Sequence, residues 1–140
     1  MKFWDSSALV PLIVAEKETD YCLKTLSGDQ EMLIWCLSKV EVISALCRIV
    51  RDEKFSESDF NKAKKQFNEL IQRAYEVKAI EKVRNRALRL LEVHPLRAAD
   101  ACQLASALVA TQEDPDRLSI LSFDERLKSA AAKEGFDVNP

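Results

Sequence analysis

The chain has 140 residues, 47% hydrophobic and 31% charged, with a formal net charge of −2. That balance fits one ordinary soluble domain over residues 1–140, large enough to bury roughly two-thirds of its unfolded surface. No apolar run approaches the roughly 20 residues of a membrane span, and the opening MKFWDSSALVPLIV carries an acid just before its apolar stretch, unlike a cleavable signal, so a cytoplasmic location is expected.

Lys2-Phe3-Trp4 is a strand seed ending at Asp5, and Ser6-Ser7 then supplies helix-capping chemistry for Ala8-Leu9-Val10. Pro11 lacks an amide hydrogen and keeps this first helix short or bent, before Glu16 to Leu26 resumes a helical pattern that stops at Ser27-Gly28-Asp29. Met32-Leu33-Ile34-Trp35 reads as a buried second strand. A helix follows, in which Ser38-Lys39-Val40-Glu41 matches a capping box and Val42, Leu46, Ile49 and Val50 recur at helical spacing until Arg51-Asp52-Glu53-Lys54.

Ser56 and Asp59 open another helix, with Phe60, Ala63, Phe67, Leu70 and Ile71 on one face and Lys62, Lys64 and Lys65 on the other. Tyr75 to Ala79 is read as a third strand, and Ile80, Val83, Ala87, Leu90 and Leu91 as the apolar face of a helix ending before Pro95. Leu96 to Ala110 is Ala- and Leu-rich with no internal breaker, which predicts a well-buried helix. After a polar loop from Gln112 to Arg117, Leu118 to Phe123 is a fourth strand. Asp124 caps a helix over Glu125 to Lys133, Gly135 ends it, and Phe136-Asp137-Val138 adds a short edge strand. Strands alternating with helices imply right-handed crossovers and a mostly parallel sheet with helices on both faces.

Four acids stand where this pattern switches element or buries a helix face: Asp5, Glu41, Asp100 and Asp124. Taken singly, Asp5 and Asp124 are explained as helix caps and Glu41 as the third residue of a capping box. Asp100 resists that reading, because steps of three and four from it meet Leu96, Gln103, Leu104, Ala107 and Leu108. A carboxylate on so buried a face costs several kcal/mol or takes up a proton unless a cation meets it, and Arg97 is the local candidate. Together, two strand ends and two helix starts supply one carboxylate each, and hard cations prefer oxygen ligands of that kind.

Other functional residue types are scarce. Cys22, Cys36, Cys47 and Cys102 form no C-x-x-C pair and fall in apolar stretches, as small core thiols do. His94, the only histidine, precedes Pro95 at a helix end and is expected to cap carbonyls or face solvent. Haloacid-dehalogenase-like phosphatases need Asp-x-Asp after the first strand and phospho-receiver domains an adjacent acidic pair, but here the residues are Asp5-Ser6-Ser7.

What the chain resembles is the PIN-domain nucleases, and more narrowly the VapC-type toxins of toxin–antitoxin pairs. Phe3-Trp4-Asp5-Ser6-Ser7-Ala8-Leu9-Val10 is similar to the family's first-strand motif, and Glu41 within Ser38-Lys39-Val40-Glu41-Val42 to its helix-borne acid. Ala98-Ala99-Asp100-Ala101 resembles the third motif, Ser122-Phe123-Asp124 the hydroxyl-x-Asp motif after the fourth strand, and Ala132-Lys133-Glu134-Gly135-Phe136 the run into the last strand. The resemblance implies a three-layer α/β/α sandwich around a mostly parallel sheet of about five strands. It also implies that Asp5, Glu41, Asp100 and Asp124 bind Mg²⁺ or Mn²⁺ and catalyse, with Ser6 and Ser122 as supporting hydroxyls.

The activity expected is a metal-dependent endoribonuclease that cleaves RNA with a metal-activated water. A PIN-fold RNA-processing or DNA-directed nuclease outside a toxin pair, and a non-catalytic binding module, stay open. For RNA contact the candidates are Lys62, Lys64 and Lys65, then Lys82, Arg84, Arg86, Arg89 and Arg97, with Arg97 favoured because it precedes Asp100 by one turn. The likeness further suggests a homodimer and a small antitoxin whose tail offers an Arg to the carboxylates, while the lack of a long apolar run leads to the expectation of no membrane partner.

Overall fold

The computed structural model describes residues 1–140. Five strands, β1 (Lys2–Trp4), β2 (Met32–Trp35), β3 (Tyr75–Val77), β4 (Ser119–Leu121) and β5 (Asp137–Asn139), form one sheet in the order β3-β2-β1-β4-β5, every pair parallel. Around it lie α1 (Ser6–Leu9), α2 (Thr19–Gly28), α3 (Ser38–Arg51), α4 (Glu57–Ile71), α5 (Ile80–Val93), α6 (Ala98–Ala110) and α7 (Glu125–Lys133), with 3₁₀ turns at Val10–Leu12 and Pro115–Arg117.

Each strand sends alternate side chains to opposite faces, and this sorts the core into two layers. Phe3, Trp35 and Ile120 meet Val83, Leu90, Leu104, Leu108 and Leu127 of α5, α6 and α7. Their neighbours Trp4, Ile34 and Leu121 meet Leu9, Cys22, Val42, Phe67 and Ile71 of α1 to α4. The architecture is thus α/β/α, as expected from the alternation of elements. The chain builds β2 and β3 outward on one side of β1, then returns to lay β4 on the other. That reversal puts a crevice between the ends of β1 and β4, where open parallel sheets gather ligands.

Several boundaries differ from the sequence reading, each for a local reason. α2 starts at Thr19 instead of Glu16, because the Thr19 hydroxyl accepts from Glu16 N at 2.9 Å and donates to the Val14 carbonyl at 3.1 Å, holding a turn there. β4 stops at Leu121, because the Ser7 hydroxyl takes the Phe123 amide at 2.9 Å and the Ser122 hydroxyl takes that of Asp124 at 3.1 Å. α6 starts at Ala98, since Leu96 N donates to the His94 carbonyl in a separate turn at 2.8 Å. Phe136 is buried at the end of α7, its N–H reaching the Ala131 carbonyl at 3.0 Å while Gly135 N reaches Ala132 at 3.1 Å, so β5 begins one residue later than expected. On α5, Ile80 and Leu91 are exposed where the sequence pattern had them facing inward.

No helix is long and apolar enough to cross a membrane. All four cysteines are free, Cys22 buried and the other three half-buried.

Candidate active site

The four acids enter the crevice from the first turns of four helices. Asp5 is the N-cap of α1, Glu41 lies in the first turn of α3, Asp100 in that of α6, and Asp124 is the N-cap of α7. Helix starts carry unpaired N–H groups and the positive end of the helix dipole, which favour a negative side chain. Asp5 accepts from Ser7 N at 3.2 Å, Asp124 from Leu127 N at 2.8 Å, and Asp100 from Arg97 N at 3.3 Å.

Asp5 is almost fully buried, 4% exposed, at the centre of a hydroxyl cluster. Ser122 Oγ donates to its Oδ2 at 2.9 Å, Ser7 Oγ donates to the same oxygen, and Ser6 Oγ lies 3.4 Å from Oδ1. Glu41 is gripped at both ends: Ser6 Oγ donates to Oε2 at 2.8 Å and the Gln103 amide donates to Oε1 at 3.0 Å. The capping box read from Ser38 and Glu41 does not form. Leu37 is the N-cap, with no side-chain bond, and Ser38 instead pairs with Gln103 in the interior.

The charges are felt across the cluster. Burial pushes the Asp5 carboxyl above its ordinary range, against the pull of the Ser7 and Ser122 hydroxyls. Burial raises Glu41 too, opposed by Ser6 and Gln103 but reinforced by the negative charges of Asp5 and Asp100. At Asp100 burial again leads, the charge of Asp124 adds to it, and the Arg97 N–H works the other way. None of the four forms a salt bridge. Arg97, expected to meet Asp100, touches it through the backbone amide, and its side chain is exposed.

With Asp5 buried, the other three half-buried, every donor an oxygen and none in a salt bridge, the donor set suits a hard divalent cation. The grouping stops short of a finished coordination sphere: no three His, Cys, Asp or Glu side chains stand close enough to hold an ion between them, since Asp5 is drawn onto Ser7 and Ser122 and Glu41 onto Ser6 and Gln103.

Beside the acids runs a groove of about 430 Å³, lined by Ser6, Ser7, Val40, Glu41, Ser44 and Arg48 among others. Glu41, Ser44 and Arg48 fall on one face of α3, three and four residues apart. Arg48 is an exposed cation with no acidic partner, and sequence reading missed it because it falls inside the apolar run from Leu46 to Val50. Another groove, lined by Leu23, Leu26, Met32, Leu70 and Arg73, holds none of the four acids.

The basic residues singled out by sequence fare unevenly. Lys62, Lys64 and Lys65 are exposed on α4, and Lys82, Arg84 and Arg89 on α5. Arg86 is committed elsewhere: its Nε donates to Glu113 at 3.1 Å and its Nη2 to Glu134 at 3.0 Å, which withdraws it from RNA contact. His94 is buried and its Nε2 lies 2.6 Å from Glu134 Oε1, so it ties α5 to α7 and neither caps carbonyls through its ring nor faces solvent.

A family model described as PIN domain matches residues 2–133. The chain belongs to the PIN-domain family. Two relatives from Mycobacterium tuberculosis, Ribonuclease VapC45 of strain CDC 1551 / Oshkosh and Ribonuclease VapC49 of strain ATCC 25618 / H37Rv, are each 30% identical over 138 residues, covering 99% of this chain and 94% of theirs. Among solved structures, PAE2754 from Pyrobaculum aerophilum superposes with a TM-score of 0.64 at 16% identity, over 98% of this chain and 81% of that one. FitAcB from Neisseria gonorrhoeae does so with a TM-score of 0.68 at 12% identity, over 100% and 97%. At these identities the two structures support the PIN fold alone.

Proposed function

We propose that this PIN-domain protein is a VapC-type toxin: an endoribonuclease that hydrolyses RNA phosphodiesters with Mg²⁺ or Mn²⁺ held by Asp5, Glu41, Asp100 and Asp124. The observation that carries the reading is a set of four carboxylates at four helix starts, whose charges reach one another and none of which forms a salt bridge. Two relatives that bear the name ribonuclease and align along nearly the whole chain support RNA as the substrate.

A divalent cation, when bound, lowers the pKa of an attacking water and balances charge on the leaving oxygen. The chain itself has to place donors and substrate. Ser7 and Ser122 fix Asp5 against the sheet, while Ser6 and Gln103 fix Glu41. Arg48, along the groove that holds Glu41, and the exposed Arg97, one turn before Asp100, are the phosphate contacts of this reading, with the exposed Lys62, Lys64 and Lys65 of α4 as a further basic face. No Ser–His or Cys–His couple competes for the chemistry, since the one histidine is bound to Glu134.

In this reading the protein acts in the cytoplasm as a homodimer, and a small antitoxin silences it by offering a cation to the acid cluster. The deciding experiment incubates the purified protein with total RNA, and separately with single-stranded DNA, in Mg²⁺ or Mn²⁺ and in EDTA. Cleavage of RNA that needs the cation and is lost in Asp5→Asn and Asp100→Asn is expected. Cleavage of DNA alone, or of neither, overturns the reading.

A further inference from the structure

Gln103 is a costly residue to find where it is. It is 1% exposed on the face of α6 that also carries Ala101, Leu104, Ala107 and Leu108, where an amide without partners would lose its hydration and gain nothing in return. The other buried polar groups of α6 and its end bond to their own helix: Ser106 Oγ donates to the Gln103 carbonyl at 2.7 Å, and Thr111 Oγ1 to those of Ala107 and Leu108 at 3.1 Å. Gln103 alone reaches across to α3. Its Nε2 donates to Ser38 Oγ at 3.0 Å and to Glu41 Oε1 at 3.0 Å, which uses both amide hydrogens, and its Oε1 lies 3.4 Å from Ser38 Oγ.

The orientation of the amide follows from charge. Flipped, it would present a carbonyl oxygen to the Glu41 carboxylate, and repulsion rules that out. The nitrogen therefore faces Glu41, and Ser38 holds it there from the buried side. With Ser6 on Oε2, each oxygen of Glu41 has one protein donor and keeps lone pairs free for another ligand. Gln103 also stands one turn beyond Asp100 on the same helix, so α6 both supplies one acid and clamps the acid of α3.

We propose that Gln103, braced by Ser38, is a positioning residue that sets the carboxylate of Glu41 for divalent-cation binding. This rests on the metal-dependent reading above. Outer partners of this kind orient ligands, and their loss lowers metal affinity about 10- to 100-fold.

The test uses the full chain and two readouts. In the metal-free protein, NMR is expected to show the Gln103 side-chain amide protons slow to exchange and displaced in Glu41→Asp, whose carboxylate is one methylene short of them. Calorimetric titration with Mn²⁺ then compares Gln103→Met in the parent and in Glu41→Asp. Met keeps the volume and removes the donor, so affinity is expected to fall about 10-fold or more in the parent and little further in Glu41→Asp. Ser38→Ala, which leaves the amide in place, is expected to lower affinity less, and it serves as the second variant should Gln103→Met fold poorly. An equal loss from Gln103→Met in both backgrounds, or amide signals indifferent to Glu41→Asp, overturns this inference alone. A parent protein that takes up no Mn²⁺ overturns the metal reading and this inference with it.

Discussion

Asp100 shows how one carboxylate can weaken the fold that carries it. Burial and the neighbouring charge of Asp124 both raise its pKa, and the Arg97 N–H offsets them only in part. A carboxyl raised in the folded state binds its proton more tightly there than in the unfolded chain. Its favourable contribution is therefore complete below the ordinary carboxylate pKa, about pH 4, and is lost as pH rises through the raised value. At neutral pH without divalent cations the charged form is a burden. Asp100→Asn, which keeps an oxygen for Arg97 N, is expected to melt at a higher temperature than the parent in EDTA at pH 7. That advantage should shrink to nothing below about pH 4, where both side chains are neutral. A variant no more stable than the parent at pH 7 would show that the cluster carries no uncompensated charge. The sequence displayed this residue well, because an acid among Leu104, Ala107 and Leu108 conflicts with its helix face. It misrepresented Glu41 and left Gln103 unread. Ser-x-x-Glu is a local pattern, yet Ser38 and Glu41 both turn to a helix more than 60 residues away, and sequence spacing holds no trace of that pairing.

At the scale of elements, the chain order of strands and helices was legible from periodicity, whereas their ends were set by side-chain bonds across the fold. β4 is the clearest case: Ser7, which lies 116 residues from Phe123, takes the amide that would have extended the strand. The two glycines make the same point, since both stand where a helix pattern stops. Gly135 has φ +98°, and a Cβ there would meet Pro115 Cγ at 3.0 Å, whereas Gly28 is the last residue of α2 with nothing within 4 Å of such an atom. Gly135→Ala is accordingly expected to destabilise by more than ~1 kcal/mol, from left-handed backbone strain plus a clash with a rigid ring. Gly28→Ala should gain roughly 0.5 kcal/mol by narrowing the unfolded ensemble. Thermal unfolding of the two variants should move in opposite directions. A shared sign would mean that the conformation at Gly135 does not hold in solution.

Taken over the whole molecule, the charge balance has to be read by position. With Asp5, Glu41, Asp100 and Asp124 set aside, 19 of the 23 acids face 21 bases, so the acid surplus that opposes RNA is concentrated in those four residues. Bases committed to ion pairs, such as Arg86 with Glu113 and Glu134 or Lys39 with Glu76, do little for a polyanion. Arg48 is free and lies along the groove that leads from Glu41. Two single changes should therefore shift RNA affinity in opposite senses when binding is measured in EDTA, where cleavage does not intervene. Asp100→Asn removes a repulsive charge and is expected to tighten binding at low salt. Arg48→Ala removes a phosphate contact, and its plot of log affinity against log salt should be shallower by about 0.7, the counterion release for one contact to a single strand. If Arg48→Ala weakens binding without altering that slope, the arginine is shaping the groove and not touching phosphate. If Asp100→Asn leaves affinity unchanged, the RNA passes the groove without approaching the acids, and the crevice is not where the strand is cut.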